Sequence, residues 1–517
     1  MVINDFIYLE IDKRCNGKCN CTEKIGDFDA KREDVISDVI GFNKYSHKLK
    51  DEQTFTLNRR LGKNEQLENE VQHVKSVAVY YWDGDPGYTK PLLLEVKTGS
   101  NTQYYYRYEE GESEALGNAT IWKYVQGDHK LQDRLDDRNC GRNGAVPLNL
   151  QNLTSDKCFI SSSCLKKERN IAESIYQSPK GPPGGEYTVK EYTINGGAKI
   201  SRVTHGKQNV DGIDLTKNGI SKVRVYSQGN VGSTNPPLML QFIPKGGTEE
   251  SKWFYSTNRD GNNWESVDEE KSEAFYDTGH QPQEALTTGL DDVRCFRDSE
   301  VTINLTKSIS EGDQPYCCHY HGTSGMVSVT PVTVSCTNPS HRTSHLTAYK
   351  HSISGDSLKL AGIKFYLNGD NAGNTPRTRI ILNTQRFPIS SPVSIYAFYC
   401  TGNDPLLIYV DSSQANVKGW YKKGDYGGQS WIKLNTELGD TTPDNFSTLN
   451  CGQWKALREV LTGFGCADLK ECPPDNSSIW VKLFGGGGAS AVGTGGAAYG
   501  GWYAWVNYFL DPLVRLI

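Results

Sequence analysis

The chain has 517 residues, with 56 Lys and Arg against 61 Asp and Glu, so its formal net charge is only −5. This balance gives no strong basic field and argues against a protein that binds nucleic acid. At roughly 150 residues per domain, the length predicts about three or four folded units.

Fourteen cysteines are spread along the whole chain. This distribution favours structural disulfides in an oxidising compartment over a zinc site. The disulfide candidates are Cys140, Cys158, Cys164, Cys295, Cys317, Cys318, Cys451, Cys466 and Cys472. We expect Cys140 to pair within its own part of the chain, with Cys158 or Cys164.

Asn-x-Ser/Thr triplets fit an extracellular location, although such triplets also arise by chance. The predicted glycosylation sites are Asn118, Asn152, Asn304, Asn445 and Asn476.

Residues 1–39 resemble the later part of a repeat unit rather than a beginning. The first ten residues lack the basic and apolar regions of a signal peptide. We expect that an upstream segment is missing from this chain, with an internal targeting signal as the alternative.

The stretch SVAVYYWDGDPGYTKPLLLEVKTGSNTQYYYR, residues 76–107, has two echoes further along the chain. When Tyr80, Tyr226 and Tyr396 are aligned, a proline followed by an apolar run comes 11, 11 and 9 residues later. Aromatic clusters, a tryptophan and a cysteine preceded by Leu-Asp-Asp or Leu-Asn follow in the same order. We predict repeat units at 40–177, 186–321 and 341–478, with linkers at 178–185 and 322–340.

Each predicted unit combines hairpins with a short helix. Period-two patterning at Val77 and Val79 predicts strands with one solvated face, and turn residues precede each proline-led strand. Short helices are predicted at 130–138 and 284–293. The predicted fold class is therefore mainly β (α+β), with tandem repeated small antiparallel β modules and a helix in each.

No catalytic, cofactor-binding or metal-binding residue is predicted. Asp83-Gly84-Asp85 lacks the spacing of a calcium loop and is interpreted as a turn, because the other copies keep turn residues and lose the carboxylates. The segment CCHYH at 317–321 could hold zinc, but matching segments lack histidine. The pairs Asp136-Asp137 and Asp291-Asp292 are interpreted as solvated helix acids, with a glycosidase carboxylate pair left open.

Residues 484–510 carry no charged side chain and are long enough to span a bilayer as a transmembrane helix, followed by a short tail at 511–517. Small residues recur every fourth position, which would allow two such helices to pair as a homodimer. They are Gly485, Ala489, Gly493, Ala497 and Gly501. A flexible Gly/Ala linker with an aromatic end is the alternative.

The combination of VAVYYWDGD, KPLLLEV, the YYY and WFY clusters, LDDRNC, an apolar strand and paired cysteines resembles the lineage-expanded repeat proteins of Theileria-type piroplasm parasites. The final DPLVRLI is similar to the ending of that family, and the resemblance covers roughly residues 40–517. It implies a non-enzymatic, secreted or surface-exposed protein, and it supplies no functional residues.

The leading hypothesis is thus a membrane-tethered glycoprotein of the cell surface or secretory pathway. It would bind a host or parasite macromolecule or act as a variable surface antigen. A lectin-like module that uses the aromatic clusters is the alternative, and an enzyme is third. Any recognition is expected where the copies differ, since shared residues serve the sheet.

Overall fold

The computed structural model describes residues within 2–471, and residues 472–517 lie outside the described part, as does residue 1. Undescribed positions inside that range are 8, 10, 12–21, 26–27, 34–35, 37–38, 50–52, 62–64, 100, 109–119, 154–170, 175–178, 207, 214, 216–218, 230–234, 247–250, 309–325, 338–344, 370–374, 384–386, 401–402, 425–428 and 467–468. The predicted transmembrane helix at 484–510 is therefore outside the described residues.

The first part of the chain is mostly strand. Its elements are β1 (Val2–Ile7), β2 (Thr22–Ile25), β3 (Phe28–Glu33), β4 (Phe42–Leu49), β5 (Thr54–Leu57), β6 (Glu65–Leu67), β7 (Val71–Val74), β8 (Ser76–Trp82), β9 (Leu93–Lys97), β10 (Thr102–Tyr108), β11 (Thr120–Tyr124), α1 (Leu131–Asn143) and β12 (Ala145–Asn149). One sheet has the order β2-β3-β4-β8-β9-β10-β11-β6, and a smaller one has the order β1-β5-β7.

The middle part repeats this mixture of strands and a helix. Its elements are β13 (Ile171–Glu173), β14 (Tyr187–Ile194), β15 (Lys199–His205), β16 (Gln208–Asn209), β17 (Ile220–Gln228), β18 (Met239–Pro244), β19 (Lys252–Ser256), β20 (Trp264–Ser266), α2 (Glu269–Glu273), α3 (Glu284–Asp298) and β21 (Glu300–Asn304). The sheets have the orders β13-β14-β17-β18-β19-β20 and β12-β15-β16.

In the last part a single sheet contains nearly all the strands. Its elements are β22 (Val327–Ser335), β23 (His345–Ile353), β24 (Lys359–Phe365), β25 (Thr378–Leu382), β26 (Ile389–Ser390), β27 (Val393–Phe398), β28 (Leu407–Ser412), β29 (Gly419–Lys423), β30 (Ser430–Lys433) and α4 (Cys451–Thr462). The order is β21-β24-β25-β30-β29-β28-β27-β23-β22, and β26 pairs with β24. The mainly β prediction is confirmed.

The three predicted hairpins are present. Strands β8 and β9, β17 and β18, and β27 and β28 pair in antiparallel fashion. The predicted helices also form, and α1 and α3 extend beyond the expected ends. Local turn chemistry and period-two patterning were sufficient here because each hairpin joins strands that are close in sequence.

Three antiparallel runs have the same layout. We name β4-β8-β9-β10-β11 the first main sheet, β14-β17-β18-β19-β20 the second, and β23-β27-β28-β29-β30 the third. In the first main sheet, β6 lies parallel to the last strand, β11. In the third main sheet, β25 lies parallel to the last strand, β30. The second has a parallel bridge between Asp211 and Asn263 at the same place.

The prediction of one solvated face is wrong for β8, which is buried along its whole length. Val77 and Val79 pack into a core shared with β5, whereas Tyr80 and Trp82 pack into a second core that includes Leu135 of α1. The sheet is therefore covered on both faces, by the small sheet on one side and the helix on the other. Apolar and polar residues alternate along a strand only when one face of the sheet is exposed to water. The pattern therefore cannot identify a sheet that is covered on both faces.

Consecutive parts of the chain are connected by donated strands. After α1, β12 pairs in parallel with β15, and after α3, β21 pairs in parallel with β24. We name these contacts the first joint and the second joint. Each begins at a left-handed residue, Gly144 (φ 68°) or Ser299 (φ 59°), whose carbonyl accepts the backbone N–H of Lys199 or Lys359. Strand β1 pairs with β5 in the same parallel sense.

The boundaries of the predicted units differ from the sheets. Residues 327–335 of the predicted linker form β22, which pairs along its length with β23. Likewise β13, placed in the predicted first unit, pairs with β14 of the second main sheet. The sequence VSVTPVTVS is rich in β-branched residues at alternate positions, which favours a strand despite its proline.

Candidate functional site at the joints

An ion pair crosses the first joint. Arg202 of β15 donates from Nη2 to Asp136 Oδ2 of α1 at 2.6 Å, and Gln132 donates to Asp136 Oδ1 at 3.2 Å. Asp136 is only 5% exposed, so the prediction of a solvated helix acid is wrong. Burial raises the pKa of Asp136, and the Arg202 guanidinium opposes that rise.

The second joint carries a larger buried ionic cluster centred on Asp291 of α3. Lys364 of β24 lies 3.0 Å from Asp291 Oδ2, Arg377 Nη2 lies 2.8 Å from the same oxygen, and Tyr187 donates its hydroxyl to Oδ1 at 2.6 Å. Burial acts to raise the pKa of Asp291, but the two cations outweigh it and hold the pKa below its usual value. Asp291 too was predicted to be solvated, and it is buried.

Two further carboxylates complete this cluster. Glu186 pairs with Lys364 and with Arg379, the latter at 3.0 Å, and Glu284 accepts from Arg377 Nε. Burial raises the pKa of Glu284, although Arg377 opposes the change. Three acids thus face three cations, and charge neutrality makes such a buried group tolerable.

The two joints differ in which residue fills the same space. A β-bulge precedes Arg202 on β15 and Gly362 on β24. At the first joint, Gly41 leaves room for Arg202, whose Cδ is 3.6 Å from where a Cβ on Gly41 would be. At the second joint, Gly362 leaves room for Glu186, 3.3 Å from the corresponding position. At the first joint the large side chain, Arg202, is on β15 and the glycine lies just before β4. At the second joint the glycine is on β24 and the large side chain, Glu186, lies just before β14.

A cavity of about 810 Å³ lies beside the first joint. We name it the joint cavity. Its walls are the end of β8 at Trp82 and Asp83, residues 199–203 of β15, and the apolar side chains of Val210, Ile213 and Ile220. The volume of this space falls in the range of ligand pockets, and its walls carry three charged side chains, Asp83, Lys199 and Arg202.

Trp82 forms a fixed wall of the joint cavity. Its Nε1 donates to the carbonyl of Ser201 at 3.4 Å, and Lys199 Nζ lies 5.9 Å from the ring centroid. Gly84 packs against the ring, because a Cβ there would lie 2.4 Å from a ring carbon. These three contacts hold the indole in place.

The two acids of the Asp-Gly-Asp turn have different roles. Asp85 builds the turn, since its Oδ2 accepts the N–H of Lys90 at 2.8 Å and its Oδ1 accepts the hydroxyl of Thr89 at 3.2 Å. Asp83 lines the joint cavity and remains in contact with solvent. The surrounding protein displaces water from its carboxylate and raises the pKa of Asp83 to about 6. The sequence interpretation of a turn is right for Asp85 and missed the position of Asp83.

Among the disulfide candidates, Cys466 bonds to Cys400, which lies 66 residues earlier and was not predicted. Cys140 and Cys451 are also disulfide-bonded, and Cys295 is buried in the core. Outside the described residues are Cys158, Cys164, Cys317, Cys318 and Cys472.

The predicted glycosylation sites fall in different surroundings. Asn152 is exposed, whereas Asn304 is half-buried at the end of β21. Asn445 donates its Nδ2 to the carbonyl of Asp440 at 2.7 Å, so the atom that would carry a glycan is already hydrogen-bonded. Asn118 and Asn476 lie outside the described residues.

The aromatic clusters belong to the core. Trp253 stacks on Tyr226 with ring centroids 5.3 Å apart and is 5% exposed. Tyr105, Tyr106 and Trp420 are also buried. A sugar needs an exposed ring face to stack on, so these buried clusters do not support the lectin hypothesis.

In the described part of the chain, no group of three or more His, Cys, Asp and Glu side chains is arranged to hold a metal. The possible zinc segment at 317–321 is outside that part. Of the helices that the structure describes, none is long and apolar enough to cross a membrane. No protein-family model, curated protein or solved structure matches the chain.

Proposed function

We propose that the chain is a non-enzymatic, membrane-tethered repeat protein of a parasite cell surface or secretory pathway. It binds a host or parasite macromolecule, or is presented as a variable antigen. The observation that carries the proposal is the pair of joints, in which a strand from one part of the chain completes the sheet of the next. Such joints make a continuous scaffold suited to presenting loops.

The repeat units are part of this proposal. Support comes from the common strand order of the three main sheets, from the helix that follows each, and from the parallel pairing at the last strand of each. The units predicted from sequence are 40–177, 186–321 and 341–478. In the proposed division, the second and third units each begin one strand earlier. Strands β13 and β22 then belong to the second and third units.

The chemistry of the joints favours a structural role for their charged groups. Asp136, Asp291 and Glu284 are satisfied by arginine or lysine partners. A general acid or nucleophile would need access to a substrate. The joint cavity, with Asp83 at its wall, offers such access and is the place where we expect binding.

The membrane tether is proposed from residues 484–510, whose glycine and alanine ladder would also allow two chains to pair. The disulfide between Cys400 and Cys466 supports folding in an oxidising compartment, as expected for a protein of the secretory pathway.

A topology experiment tests this proposal. An epitope inserted near Glu265, an exposed residue of β20, should be removed when protease is applied to intact cells. A second epitope after residue 517 should survive until the membrane is permeabilised. If the epitope near Glu265 is protected on intact cells, the surface location is wrong.

A further inference from the structure

The two joints have the same backbone pairing. In each, the parallel ladder starts with two residue pairs, one residue of the second strand then bulges out, and pairing continues at Arg202 on β15 or at Gly362 on β24. Both joints also begin with a hydrogen bond from the N–H of Lys199 or Lys359 to the left-handed residue before the incoming strand. Backbone contacts therefore do not distinguish β12 from β21 as the incoming strand of either joint.

The side chains at matching positions of the joints do differ. Gly41 and Glu186 each lie one residue before the first strand of a main sheet, β4 or β14. At the first joint, Gly41 faces Arg202, whose Cδ would lie 3.6 Å from a Cβ on that glycine. At the second joint, Glu186 faces Gly362, and its Oε1 would lie 3.3 Å from a Cβ there. Each joint thus places one large side chain opposite one glycine, in opposite order.

The helix acid is common to both joints, whereas its cation is not. Asp136 and Asp291 each lie eight residues before the left-handed residue that ends the helix. Asp136 binds Arg202, directly after the bulge, at 2.6 Å, and Asp291 binds Lys364, two residues further along its strand, at 3.0 Å. Thr204 has the place of Lys364 on β15, since each pairs with the last residue of the incoming strand. The cation therefore changes position together with the glycine.

We propose that these side chains make the joints selective: each joint accepts its own incoming helix and strand and rejects those of the other joint, from the same chain or from a second copy. If α3 and β21 approached β15, Glu186 and Arg202 would compete for a space that holds one large side chain. If α1 and β12 approached β24, Gly41 and Gly362 would leave that space empty, and Lys364 would lose Glu186. Specificity depends on the cost of such wrong pairs as much as on the gain from the right one.

This inference goes beyond the proposed function, because it concerns the assembly of the chain and holds whatever the protein binds. Chains with several similar parts misassemble when one part takes the place of another, and they exchange elements between copies. Two joints with the same backbone pairing in one chain carry this hazard. Selective side chains at the joints would fix the order in which the parts meet.

Three variants of the purified full chain test the selectivity at the second joint. Gly362→Arg places the arginine of the first joint opposite Glu186, and Glu186→Gly places two glycines opposite each other, so both create wrong pairs. The triple variant Glu186→Gly, Gly362→Arg, Lys364→Thr gives the second joint the residues of the first, and the introduced arginine supplies a cation for Asp291. The native cluster has three acids and three cations, and each variant leaves one positive charge in excess. Differences among the variants therefore report fit rather than net charge.

Hydrogen exchange of the β21 amides measures how often the second joint opens. Each wrong pair should open this joint about tenfold or more often than the triple variant does, because overpacking and an unfilled cavity both cost stability. The β12 amides of the first joint are the control within the same molecule. Their exchange should be the same in all three variants and in the wild type.

Gly362→Leu separates size from charge and makes the same comparison if Gly362→Arg does not fold. The leucine should open the second joint when Glu186 is present and be tolerated on the Glu186→Gly background. The inference is overturned if the triple variant opens as often as Gly362→Arg, if the wrong pairs leave β21 as protected as in the wild type, or if the leucine has the same effect on both backgrounds. These measurements need neither a ligand nor a membrane, so their outcome is independent of the topology experiment.

Discussion

Lys364 of β24 donates to both carboxylate oxygens of Asp291 on α3, at 3.2 and 3.0 Å, although the two residues are 73 positions apart in sequence. The contact connects the helix that follows the second main sheet to β24, which lies in the chain between the first two strands of the third main sheet, β23 and β27. Strand β21 pairs with β24 through backbone hydrogen bonds, and the ion pair adds a side-chain contact across the same joint.

Replacing Lys364 with methionine should destabilise the second joint by about 3–5 kcal/mol, because Asp291 and Glu186 would keep buried charge without that cation. Hydrogen exchange of the Val301–Ile303 amides in β21 measures the opening of this joint. Lys359→Met is the matched control at the exposed start of the same strand, and it should change stability by no more than about 0.5 kcal/mol. Equal effects of both variants would show that the buried cluster does not stabilise the joint.

Glycine is required at position 212 for two reasons. Its φ is +84°, and a Cβ there would lie 1.7 Å from the carbonyl oxygen of Trp264. Gly229 has a similar φ of +71°, but no atom of the described residues lies within 4 Å of such a Cβ. Gly229→Ala should therefore cost about 1–2 kcal/mol from backbone strain alone. Gly212→Ala should cost at least about 1–3 kcal/mol more from overpacking. Urea unfolding of the two variants compares these costs, and equal midpoints would contradict the close approach.

His351 of β23 should make the stability of the third main sheet depend on acid. Burial lowers the pKa of His351 from 6.5 to about 3. The unfolded chain therefore binds a proton below pH 6.5 while the folded chain does not, so stability is full above that pH and falls towards pH 3. The slope is about 1.4 kcal/mol per pH unit.

His351→Leu should remove this part of the acid dependence, measured as the free energy of unfolding between pH 6.5 and pH 3. Replacing the exposed His129 with leucine is the control and should leave the slope as in the wild type. An unchanged slope in His351→Leu would show that other groups cause the acid sensitivity.

The disulfide between Cys400 and Cys466 should stabilise the third main sheet by about 4 kcal/mol, because it closes a loop of 66 residues in the unfolded chain. Mass spectrometry without reduction should find the two cysteines in one linked peptide. The double variant Cys400→Ala, Cys466→Ala should show the loss of stability in urea. Recovery of both cysteines as free thiols from the native protein would contradict the bond.

Sequence alone was sufficient for the three predicted hairpins and for helices α1 and α3. Val77 to Trp82 alternate as a strand, and turn residues near Asp85 connect them to the next strand, so the information lies within a few residues. The disulfide partner Cys400 could not be found this way, since pairing depends on which strand ends meet in space. Burial of both faces of β8 had the same cause, because α1 covers one of them.

The sequence by itself determined the local β structure, since turn propensity and side-chain period act over short distances. Only the tertiary structure decided what the charged residues do. Asp291 is buried by contacts with strands far along the chain, and Trp82 meets Ser201 across 119 positions. Whether a carboxylate is solvated, paired or placed at a cavity depends on such long-range packing. The spacing of residues along the sequence does not predict these contacts.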